Sequence, residues 1–535
     1  MPPLIGVTAM NILETTAFKY HLGERLLFEV PPLRITSASR IGLIGLNGSG
    51  KTTLLELLAA AKPLPADAII TCHTTLTLLP QLKSSLAKSG GETTQAYILQ
   101  ALKQRSGLLL ADEPTNNLDL EHLAWLEKEL RRYNGALVLV SHDREFLDAL
   151  CTEIWSLENG KLVIYQGNYS SYVHQKAIAE KTHDQAYARY TAQKTHLEKA
   201  FAAKQRQAQK ATKMPDISPS EARITGAKPY FAKKQKKLQQ TGQALLTRLE
   251  QLDKVDKRQI LPPVKLELAA SKLWQGQVLL RTQNLSCTVG KKLLWQQANF
   301  SVKNGTKLAL IGPNGCGKTT LLKQILQASQ AHSPALQLAG GAKIGYYSQA
   351  IDILDAAADI LSNLRSSSSQ SETLLRTVLI RLRFRREDFL KPVRILSGGE
   401  KAKVALAKLF VSDCNVLMLD EPTNHLDLDT VNALEELLCS YPGTLLFVSH
   451  DRRMLQTVAQ ELLIFKGKEL SLFPGTYKEY LASQATATIT TAAEELLLIE
   501  NKLVEAISRL SISPSPELEK QFQDLLVAKR QLLKE

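Results

Sequence analysis

The amino-acid sequence predicts an α/β protein that contains two copies of one domain, joined by a long helical segment. Three observations lead to this prediction. A glycine-rich sequence at 45–53 recurs at 312–320. In each copy, short apolar segments typical of buried parallel strands end in Asp-Glu and in Ser-His-Asp. Between the copies, residues 172–213 are rich in Ala, Gln, Lys and Glu and nearly free of Gly and Pro, which favours a helix.

The spacing of the repeated motifs indicates that copy one is shorter than copy two. The glycine-rich sequences are 267 residues apart, whereas the Asp-Glu-Pro-Thr-Asn sequences are 308 apart, so copy one lacks 41 residues between these motifs. Gln81 precedes Ser89 by 8 residues, but Gln349 precedes Ser397 by 48. Most of the deletion therefore lies between a glutamine at a strand end and a Ser-Gly-Gly-Glu sequence.

Composition restricts the class of protein. Of the 535 residues, 44% are apolar and 22% are charged, as in ordinary globular proteins. No apolar run reaches the roughly 18 residues that a membrane-spanning helix needs. Residues 1–10 lack the basic start and apolar core of a secretory signal. The six cysteines have no CxxC spacing, which favours reduced thiols. We expect a cytoplasmic protein with no membrane partner.

The positive charge is concentrated between the two copies. The chain has a net charge of +14 at pH 7, and residues 171–260 contain 19 Lys and Arg against 8 Asp and Glu. A basic surplus confined to one segment favours a polyanionic partner, nucleic acid above all. A solvated, lysine-rich helix without a partner has the same composition and stays the alternative.

The basic segment is predicted to form an antiparallel helical hairpin. Its first helix covers 172–213 and ends at 214–220, where two prolines with Ser and Asp predict a turn. A second helix runs from about Tyr230 to Lys257 and stops before a Pro-Pro pair.

After residue 483, an Ala- and Thr-rich stretch precedes two more amphipathic helices, at about 492–510 and 516–534. We interpret them as a small hairpin that packs on one of the copies. The predicted domains are copy one at 1–171, the linker at 172–260, copy two at 261–482 and a C-terminal extension at 483–535.

Both glycine-rich sequences match GxxxxGK[ST], and each follows an apolar strand and precedes a helical run, which is the context that a phosphate-binding loop requires. The glycines allow successive backbone N–H groups to face phosphate oxygens at a helix N-terminus. Lys51 and Lys318 are expected to hold the β- and γ-phosphates, and Thr52 and Thr319 to ligate Mg²⁺. The expected nucleotide contacts are Gly45, Asn47, Gly48, Ser49, Gly50, Lys51, Thr52 and Thr53 in copy one, and Gly312, Asn314, Gly315, Cys316, Gly317, Lys318, Thr319 and Thr320 in copy two.

Each copy has two adjacent carboxylates after an apolar strand. Asp112 and Asp420 are expected to bind Mg²⁺, directly or through its water shell. Glu113 and Glu421 follow and are expected to polarise the attacking water. Because neighbouring side chains on a strand point to opposite faces, each glutamate must lie where the strand gives way to the loop. A surface role in capping that loop is the alternative for each glutamate.

A histidine follows a further apolar strand in each copy, as His142 after 136–140 and as His450 after 445–448. A lone histidine is more often structural than functional. Two histidines at matched positions after matched strands favour a contact with the γ-phosphate in each copy.

These motifs, in this order, resemble the ATP-binding cassette family. The resemblance implies an α/β fold with two ATP-binding cassette (P-loop NTPase) domains joined by a long α-helical hairpin linker, a small C-terminal helical extension, and ATPase activity with ATP and Mg²⁺ as cofactors. In that family two cassettes face head to tail, and each ATP lies between the P-loop of one and the Ser-Gly-Gly of the other. Within one monomer, this pairs Lys51 with Ser397, Gly398 and Gly399, and Lys318 with Ser89, Gly90 and Gly91. The strand-end glutamines Gln81 and Gln349 are then expected beside the nucleotide and Mg²⁺.

Two positions depart from the family pattern. The leucine that usually precedes Ser-Gly-Gly-Glu is Leu396 in copy two but Lys88 in copy one, so equal turnover at the two sites is not expected. An aromatic residue that stacks on adenine is expected near Tyr20, but its counterpart is Cys287, which cannot stack. Adenine selectivity is therefore in doubt at the second site.

Two cassettes in one chain, with a long charged linker and no membrane segment, resemble the ABC-F proteins. Members of that family are translation factors or ribosome-protection proteins that bind the ribosomal tRNA exit (E) site. The Asp-Glu-Pro-Thr-Asn-x-Leu-Asp loops and the GNYSSY and GTYKEY segments support the resemblance, which covers essentially the whole chain.

Residues 54–88 leave no room for the arm that housekeeping members insert. The trimmed copy one and the linker sequence at 226–237 are similar to the Vga-type resistance proteins, which act against lincosamides, pleuromutilins and streptogramin A.

By that resemblance, the ATP-bound form docks on the 70S ribosome, and the linker tip at 213–228 reaches 23S rRNA near the peptidyl-transferase centre and the P-site tRNA. Drug is then expelled by direct overlap or by displaced RNA. Basic side chains flank the tip, where phosphate contacts would position it without reading sequence. The expected RNA-binding residues are Lys210, Lys213, Arg223, Lys228, Lys233, Lys234, Lys236 and Lys237.

Two other functions stay open. A DNA-handling protein or a housekeeping ABC-F translation factor of the same class shares these motifs and differs in its effect on drug susceptibility. The ATPase subunit of a drug exporter is less favoured. Such subunits couple to the membrane part through the helical region around the strand-end glutamine, and copy one has lost most of that region.

Overall fold

The structure is a computed structural model that describes residues 10–65, 67–81, 90–116, 118–212, 227–256, 278–330, 333–348, 353–424 and 426–484, with isolated positions beyond 484. The chain forms two compact units, one of Met1–Ile164 with Pro262–Glu535 and one of Tyr165–Leu261. Apart from those isolated positions, the predicted C-terminal hairpin lies outside the described residues. In the described part of the chain, no helix combines the length and the apolar character needed to span a bilayer.

Copy one consists of a large mixed sheet with helices packed on it. Its strands are β1 (Asn11–Thr15), β2 (Phe18–Leu22), β3 (Arg25–Val30), β4 (Leu33–Thr36), β5 (Arg40–Gly45), β6 (Ile70–Cys72), β7 (Leu76–Leu79), β8 (Leu108–Asp112), β9 (Ala136–Val140), β10 (Glu153–Glu158) and β11 (Lys161–Gln166). Eight of them form one sheet in the order β2-β3-β11-β10-β5-β9-β8-β7, and β4-β1-β6 form a second. Every residue of β8 and β9 is buried, as expected for parallel strands covered on both faces.

The helices of copy one follow the strands that carry the predicted motifs. They are α1 (Lys51–Leu58), α2 (Gly90–Lys103), α3 (Leu120–Arg132) and α4 (Arg144–Leu150). Helix α3 begins at the N-cap residue Asp119 and α4 begins at the N-cap residue Asp143. Both caps come from the repeated motifs, so the same residues end the functional loops and start the helices.

The linker contains the two predicted helices, α5 (Tyr169–Thr212) and α6 (Ala227–Glu250). A Cβ added to Gly242 of α6 would lie 3.7 Å from the ring of Phe201 of α5, so the two helices pack closely at this level. Helix α6 ends earlier than predicted, at Glu250 rather than near Lys257. Asp253 and Asp256 follow, and acidic residues are unfavourable near the negative end of a helix dipole.

Copy two repeats the parallel sheet of copy one. Its strands are β12 (Val278–Thr282), β13 (Leu285–Val289), β14 (Lys292–Ala298), β15 (Ser301–Lys303), β16 (Lys307–Ile311), β17 (Leu336–Leu338), β18 (Ile344–Tyr347), β19 (Val416–Asp420), β20 (Thr444–Val448), β21 (Glu461–Lys466) and β22 (Glu469–Phe473). Six form a sheet in the order β18-β19-β20-β16-β21-β22, which matches β7-β8-β9-β5-β10-β11 of copy one. Strands β15-β12-β17 and β13-β14 form two smaller sheets.

The helices of copy two include the region that copy one lacks. They are α7 (Lys318–Ala328), α8 (Ile360–Arg365), α9 (Glu372–Arg381), α10 (Gly398–Val411), α11 (Leu428–Ser440) and α12 (Arg452–Val458). Helices α8 and α9 lie within the 48-residue interval between Gln349 and Ser397. Their buried leucines, including Leu364 and Leu379, belong to the main apolar core of copy two. The insertion therefore extends that core rather than forming a separate one.

Candidate active site

The two P-loops lie between a buried strand and a helix, as the motif requires. The first joins β5 to α1 and the second joins β16 to α7. Gly50 and Gly317 cap these helices with φ values of 99° and 108°, a backbone conformation that favours glycine. A Cβ on Gly317 would also lie 2.5 Å from the ring of Trp295. The last glycine of the loop is thus required both by its backbone angle and by its neighbour.

The P-loop lysines are held above their own loops. Nζ of Lys51 donates hydrogen bonds to the carbonyl oxygens of Gly45 (2.9 Å) and Leu46 (3.1 Å). Nζ of Lys318 donates to the carbonyls of Gly312 (2.7 Å) and Pro313 (3.0 Å). Burial lowers the pKa of Lys51, while the nearby carboxylates of Glu113, Asp427 and Asp112 oppose that shift.

The loop residues fit a bound phosphate. Oγ of Ser49 is buried and has no hydrogen-bond partner in the part of the chain that the structure describes. Gly48 and Gly315 have φ values of 76° and 72°, which curl the loop backbone. An unpartnered hydroxyl and a curled loop at a helix N-terminus are the features that an anion would satisfy. The curled loop recurs in copy two, with Cys316 in place of the serine.

A threonine and an aspartate form a matched pair beside each P-loop. Oγ1 of Thr52 donates to Oδ2 of Asp112 at 2.6 Å, and Thr319 forms the corresponding hydrogen bond with Asp420. Burial raises the pKa of both aspartates, because no adjacent cation fully offsets their loss of hydration. A hydroxyl and a carboxylate oxygen at this distance are ligands suited to Mg²⁺.

The glutamate of each copy lies where the strand ends, as the sequence predicts. Glu113 and Glu421 have positive φ values of 50° and 51°, immediately after β8 and β19. Their backbone N–H groups donate to the carbonyls of Val140 (2.9 Å) and Val448 (3.0 Å) on the neighbouring strand. The turned backbone places both acidic side chains of each pair at the same edge of the sheet.

Each glutamate lies against the histidine of its own copy, but the two pairs differ. Oε1 of Glu113 is 3.0 Å from Nε2 of His142. Although burial favours the neutral acid, this histidine and Asn116 lower the pKa of Glu113 to about 2. Oε1 of Glu421 is 3.2 Å from Nε2 of His450, but among the described residues it accepts no hydrogen bond. Burial therefore raises the pKa of Glu421 to about 7 and lowers that of His450 to about 3.

The structure describes some of the predicted glutamine and Ser-Gly-Gly contacts, and others lie outside the described residues. Nε2 of Gln81 donates to Oε2 of Glu113 at 3.1 Å, which puts this glutamine at the site of copy one. Ser397 caps α10, and its hydroxyl donates to Oε2 of Glu400 at 2.7 Å. Residues 90 and 91 begin α2, the counterpart of α10. Lys88, Ser89 and Gln349 lie outside the described residues.

The expected adenine-stacking residue is in contact with another ring. Tyr20 stacks on Phe28 with a centroid distance of 5.4 Å and an interplanar angle of 18°. Its counterpart Cys287 is buried in the core of copy two with Trp295, which is the counterpart of Phe28. Phe28 covers one face of the Tyr20 ring, and stacking of adenine on the other face stays a prediction.

The predicted RNA-binding residues belong to the linker unit. Lys236 and Lys237 are exposed on α6. Lys210, Lys228, Lys233 and Lys234 lie on the linker helices, but their side chains are not among those that the structure describes, and Lys213 and Arg223 lie outside the described residues altogether.

One residue that sequence reasoning left without a role connects the two copies. Oδ2 of Asp119 accepts a hydrogen bond of 3.0 Å from the backbone N–H of Asn314, in the P-loop of copy two. Its Oδ1 accepts from the backbone N–H of His122 at 3.0 Å and caps α3. The signal was present in the sequence, since Asp119 recurs as Asp427 at the same 308-residue offset as the other motifs.

Comparisons with known proteins identify the family of this chain. A family model described as ABC transporter matches residues 295–424. The ribosome protection protein VmlR of Bacillus subtilis (strain 168) is 30% identical over 96% of this chain and 97% of its own length. The ATP-binding protein Uup of Escherichia coli (strain K12) is 32% identical over 82% of this chain. This chain spans only 66% of Uup, so its similarity to Uup is partial.

Solved structures show the same architecture. The archaeal ribosome recycling factor aABCE1, solved with ribosomal stalk protein aP1, has a TM-score of 0.58 at 17% identity and covers 87% of this chain. A structure described as RNase-L Inhibitor has a TM-score of 0.57 at 18% identity, also over 87% of this chain. At these identities the likeness establishes the fold alone. Together with the full-length similarity to VmlR, the paired P-loops and their acidic partners establish that this chain is an ATPase of the ABC-F family of ATP-binding cassette proteins.

Proposed function

We propose that this protein is an ATP-dependent ribosome-protection factor. It binds the ribosomal E site in the cytoplasm, and its linker tip, residues 213–228, dislodges antibiotics from the peptidyl-transferase centre. Lincosamides, pleuromutilins and streptogramin A are the proposed drugs. The full-length similarity to a protein named as a ribosome protection protein supports this proposal.

The observation that carries the proposal is the exposed basic surface of the linker hairpin. At about 1.5 Å per residue, the 44 residues of α5 extend over roughly 65 Å. Basic side chains are exposed along both helices, whereas few acidic ones are. The exposed basic residues are Lys181, Arg189, Lys194, Lys199 and Arg206 on α5 and Lys236, Lys237 and Arg248 on α6. A long, narrow, positively charged element suits a path lined by RNA phosphates.

Nucleotide would control the contact between the two copies. Lys51 and Lys318 would bind the β- and γ-phosphate oxygens, and the Thr-Asp pairs would hold Mg²⁺, which supplies charge neutralisation at the transferred phosphate. Glu113 and Glu421 would orient a water molecule and accept its proton. The hydrogen bond from Asn314 to Asp119 supports this view, because it joins one copy to the P-loop of the other.

Drug susceptibility tests this proposal against a housekeeping role in translation. The protein is expressed in a sensitive host, with and without residues 213–228. We expect the intact chain to raise the inhibitory concentration of at least one of the three drug classes, and the deletion to abolish that increase. Exposed Lys128 of copy one offers a control, since Lys128→Ala should leave protection unchanged. Unchanged susceptibility to all three classes would contradict the proposal.

The alternative role as ATPase subunit of an exporter predicts a different location. Such a subunit co-purifies with membranes, whereas a ribosome-protection factor sediments with ribosomes. Fractionation of the same cells therefore separates the two functions.

A further inference from the structure

A cluster of charged side chains crosses from one copy to the other beside the histidine loops. Arg144 and Glu127 of copy one correspond to Arg452 and Glu435 of copy two at the 308-residue offset. Nη1 of Arg144 donates to Oε2 of Glu435 at 3.0 Å, and Nη1 of Arg452 donates to Oε2 of Glu127 at 3.0 Å. Each arginine therefore reaches the matching glutamate of the opposite copy.

The two arginine–glutamate pairs that join the copies differ in burial and in the number of their contacts. The side chain of Arg144 is 1% exposed, and it also contacts Asn432 and pairs with Oδ2 of Asp451 at 3.2 Å. The side chain of Arg452 is 18% exposed, and among the described residues it forms no ion pair with Asp143, the counterpart of Asp451. The sequence explains part of the difference, because Asn432 corresponds to Ala124, which has no side-chain acceptor.

The additional contact of Arg144 falls on the loop that carries His450. Asp451 directly follows this histidine and caps α12 by accepting a hydrogen bond from Met454 N at 3.0 Å. The backbone N–H of Asp451 donates to Oγ of Ser449 at 3.1 Å. Two hydrogen bonds within copy two therefore hold Asp451 in place. Arg144 of copy one adds an ion pair to the same residue.

We propose that Arg144 is a positioning residue that makes hydrolysis at the copy-two site depend on closure of the two copies. Its guanidinium orients Asp451 and thereby the adjacent His450, which lies 3.2 Å from Glu421. Separation of the copies removes the arginine from Glu435 and Asp451, and the loop loses this restraint. In copy one, the charge of Arg452 acts on Asp143, but among the described residues the two form no ion pair that would hold the His142 loop in the same way. The inference rests on the proposed roles of Glu421 and His450.

The electrostatics of the cluster make Arg144 and Glu435 depend on each other while they are buried between the copies. Glu435 is 6% exposed, and burial raises its pKa while the hydrogen bond from Arg144 opposes that rise. A buried carboxylate without its cation is costly, so Arg144 and Glu435 each require the other when buried. When the copies separate, water replaces the pairing.

The test measures ATP hydrolysis at one site at a time. Glu113→Gln leaves the copy-two site active, and Glu421→Gln leaves the copy-one site active. Arg144→Lys keeps the positive charge, but a lysine ammonium group cannot bind two acceptors at once as the planar guanidinium group does. In the Glu113→Gln background we expect Arg144→Lys to lower kcat about tenfold, the effect of losing one charge-assisted hydrogen bond, with KM changed by less than about twofold. In the Glu421→Gln background we expect kcat to change by less than about twofold.

Arg452→Lys is the matched control. It should lower kcat by less than about twofold in either background, because among the described residues Arg452 pairs with Glu127 and forms no ion pair with the loop of His142. Asp451→Asn keeps the helix cap but removes the charge that Arg144 holds, and it should reproduce the site-selective loss. Equal losses at both sites, or no loss at the copy-two site with Arg144→Lys, would overturn the inference. If the double variant Glu113→Gln with Glu421→Gln still hydrolyses ATP at the normal rate, the proposed site roles fail, and the inference fails with them.

Discussion

The carboxylate of Asp119 accepts a hydrogen bond from the backbone N–H of Asn314, 195 residues later in the chain. The loop that follows the acidic motif of copy one is therefore attached to the P-loop of copy two. In copy two, the corresponding Asp427 accepts from Thr430 N at 2.9 Å and pairs with Lys403 at 3.2 Å. The two copies thus use the corresponding aspartate as a helix cap. Asp119 also accepts a hydrogen bond from the P-loop of copy two, and the charge of Asp427 acts on Lys51 in the P-loop of copy one.

Replacement of this aspartate tests both of its contacts, the cap of α3 and the hydrogen bond from Asn314. Asp119→Ala should lower the unfolding free energy by about 1 kcal/mol, because α3 loses its N-cap. Asp119→Asn retains an acceptor for the helix and should cost less than half as much. Chemical denaturation measures both free-energy changes.

In ATP-binding experiments, Asp119→Ala should weaken ATP binding at the copy-two P-loop. Unchanged affinity would contradict a role of the Asn314 contact in binding.

Two glycines of the second P-loop provide a matched pair. Gly317→Ala introduces a Cβ that would lie 2.5 Å from Trp295, in addition to backbone strain at a φ of 108°. We expect a decrease of about 3 kcal/mol in unfolding free energy, since overpacking and strain add. Gly315 has a φ of 72° but no atom within 4 Å of the added Cβ, so Gly315→Ala should cost about 1 kcal/mol. Equal costs in chemical denaturation would show that the Trp295 contact is unimportant.

Asp143 should make stability depend on pH. Burial, assisted by the charge of Asp451, raises the pKa of this carboxyl to about 6 from a usual value of 3.8. Because the folded-state pKa is raised, the stabilising contribution is present below about pH 4 and is lost as the pH rises through about 6. Asp143→Asn should therefore stabilise the protein by about 1 kcal/mol near pH 8 and by little near pH 4.

Thermal melting between pH 4 and 8 measures this dependence. Exposed Asp253 serves as the control, and Asp253→Asn should shift the melting temperature little at any pH. A gain from Asp143→Asn that is the same at pH 4 and pH 8 would exclude a raised pKa as its cause.

The linker lysines should contribute affinity that depends on salt. Lys236→Ala with Lys237→Ala should weaken ribosome binding and reduce the slope of log affinity against log salt concentration, by about one unit for each phosphate that is no longer neutralised. Sedimentation at several salt concentrations measures the slope. Lys128→Ala, on the exposed face of α3, should leave it unchanged. An unaltered slope for the double variant would place the RNA-binding surface elsewhere.

Much of the site could be predicted because its residues are fixed by local rules. Apolar strands that end in Asp-Glu or in Ser-His-Asp place Asp112, Glu113 and His142 at one edge of a sheet, whatever the rest of the chain does. The same reasoning predicts that Glu113 lies where the strand gives way to the loop, and the structure achieves this with a φ of 50°.

The interactions between the copies could not be predicted in this way. Arg144 reaches Asp451 and Glu435 only after both copies fold and meet, so no local pattern encodes the pairing. The repeat provided a partial signal, since both arginines and both glutamates recur at one offset. The repeat did not indicate that the Arg144–Glu435 pair is more deeply buried than the Arg452–Glu127 pair. That difference depends on neighbours such as Asn432, where the two copies diverge.

The most direct test of the central claim is ATP-dependent binding to purified 70S ribosomes by the double variant Glu113→Gln with Glu421→Gln. Removal of both water-polarising carboxylates should slow hydrolysis by at least about a hundredfold and leave nucleotide binding intact. We expect this variant to sediment with ribosomes in ATP and to stay in the supernatant without nucleotide. A variant that binds ATP but remains off ribosomes in its presence would contradict the proposed function, while the two-cassette fold would stand.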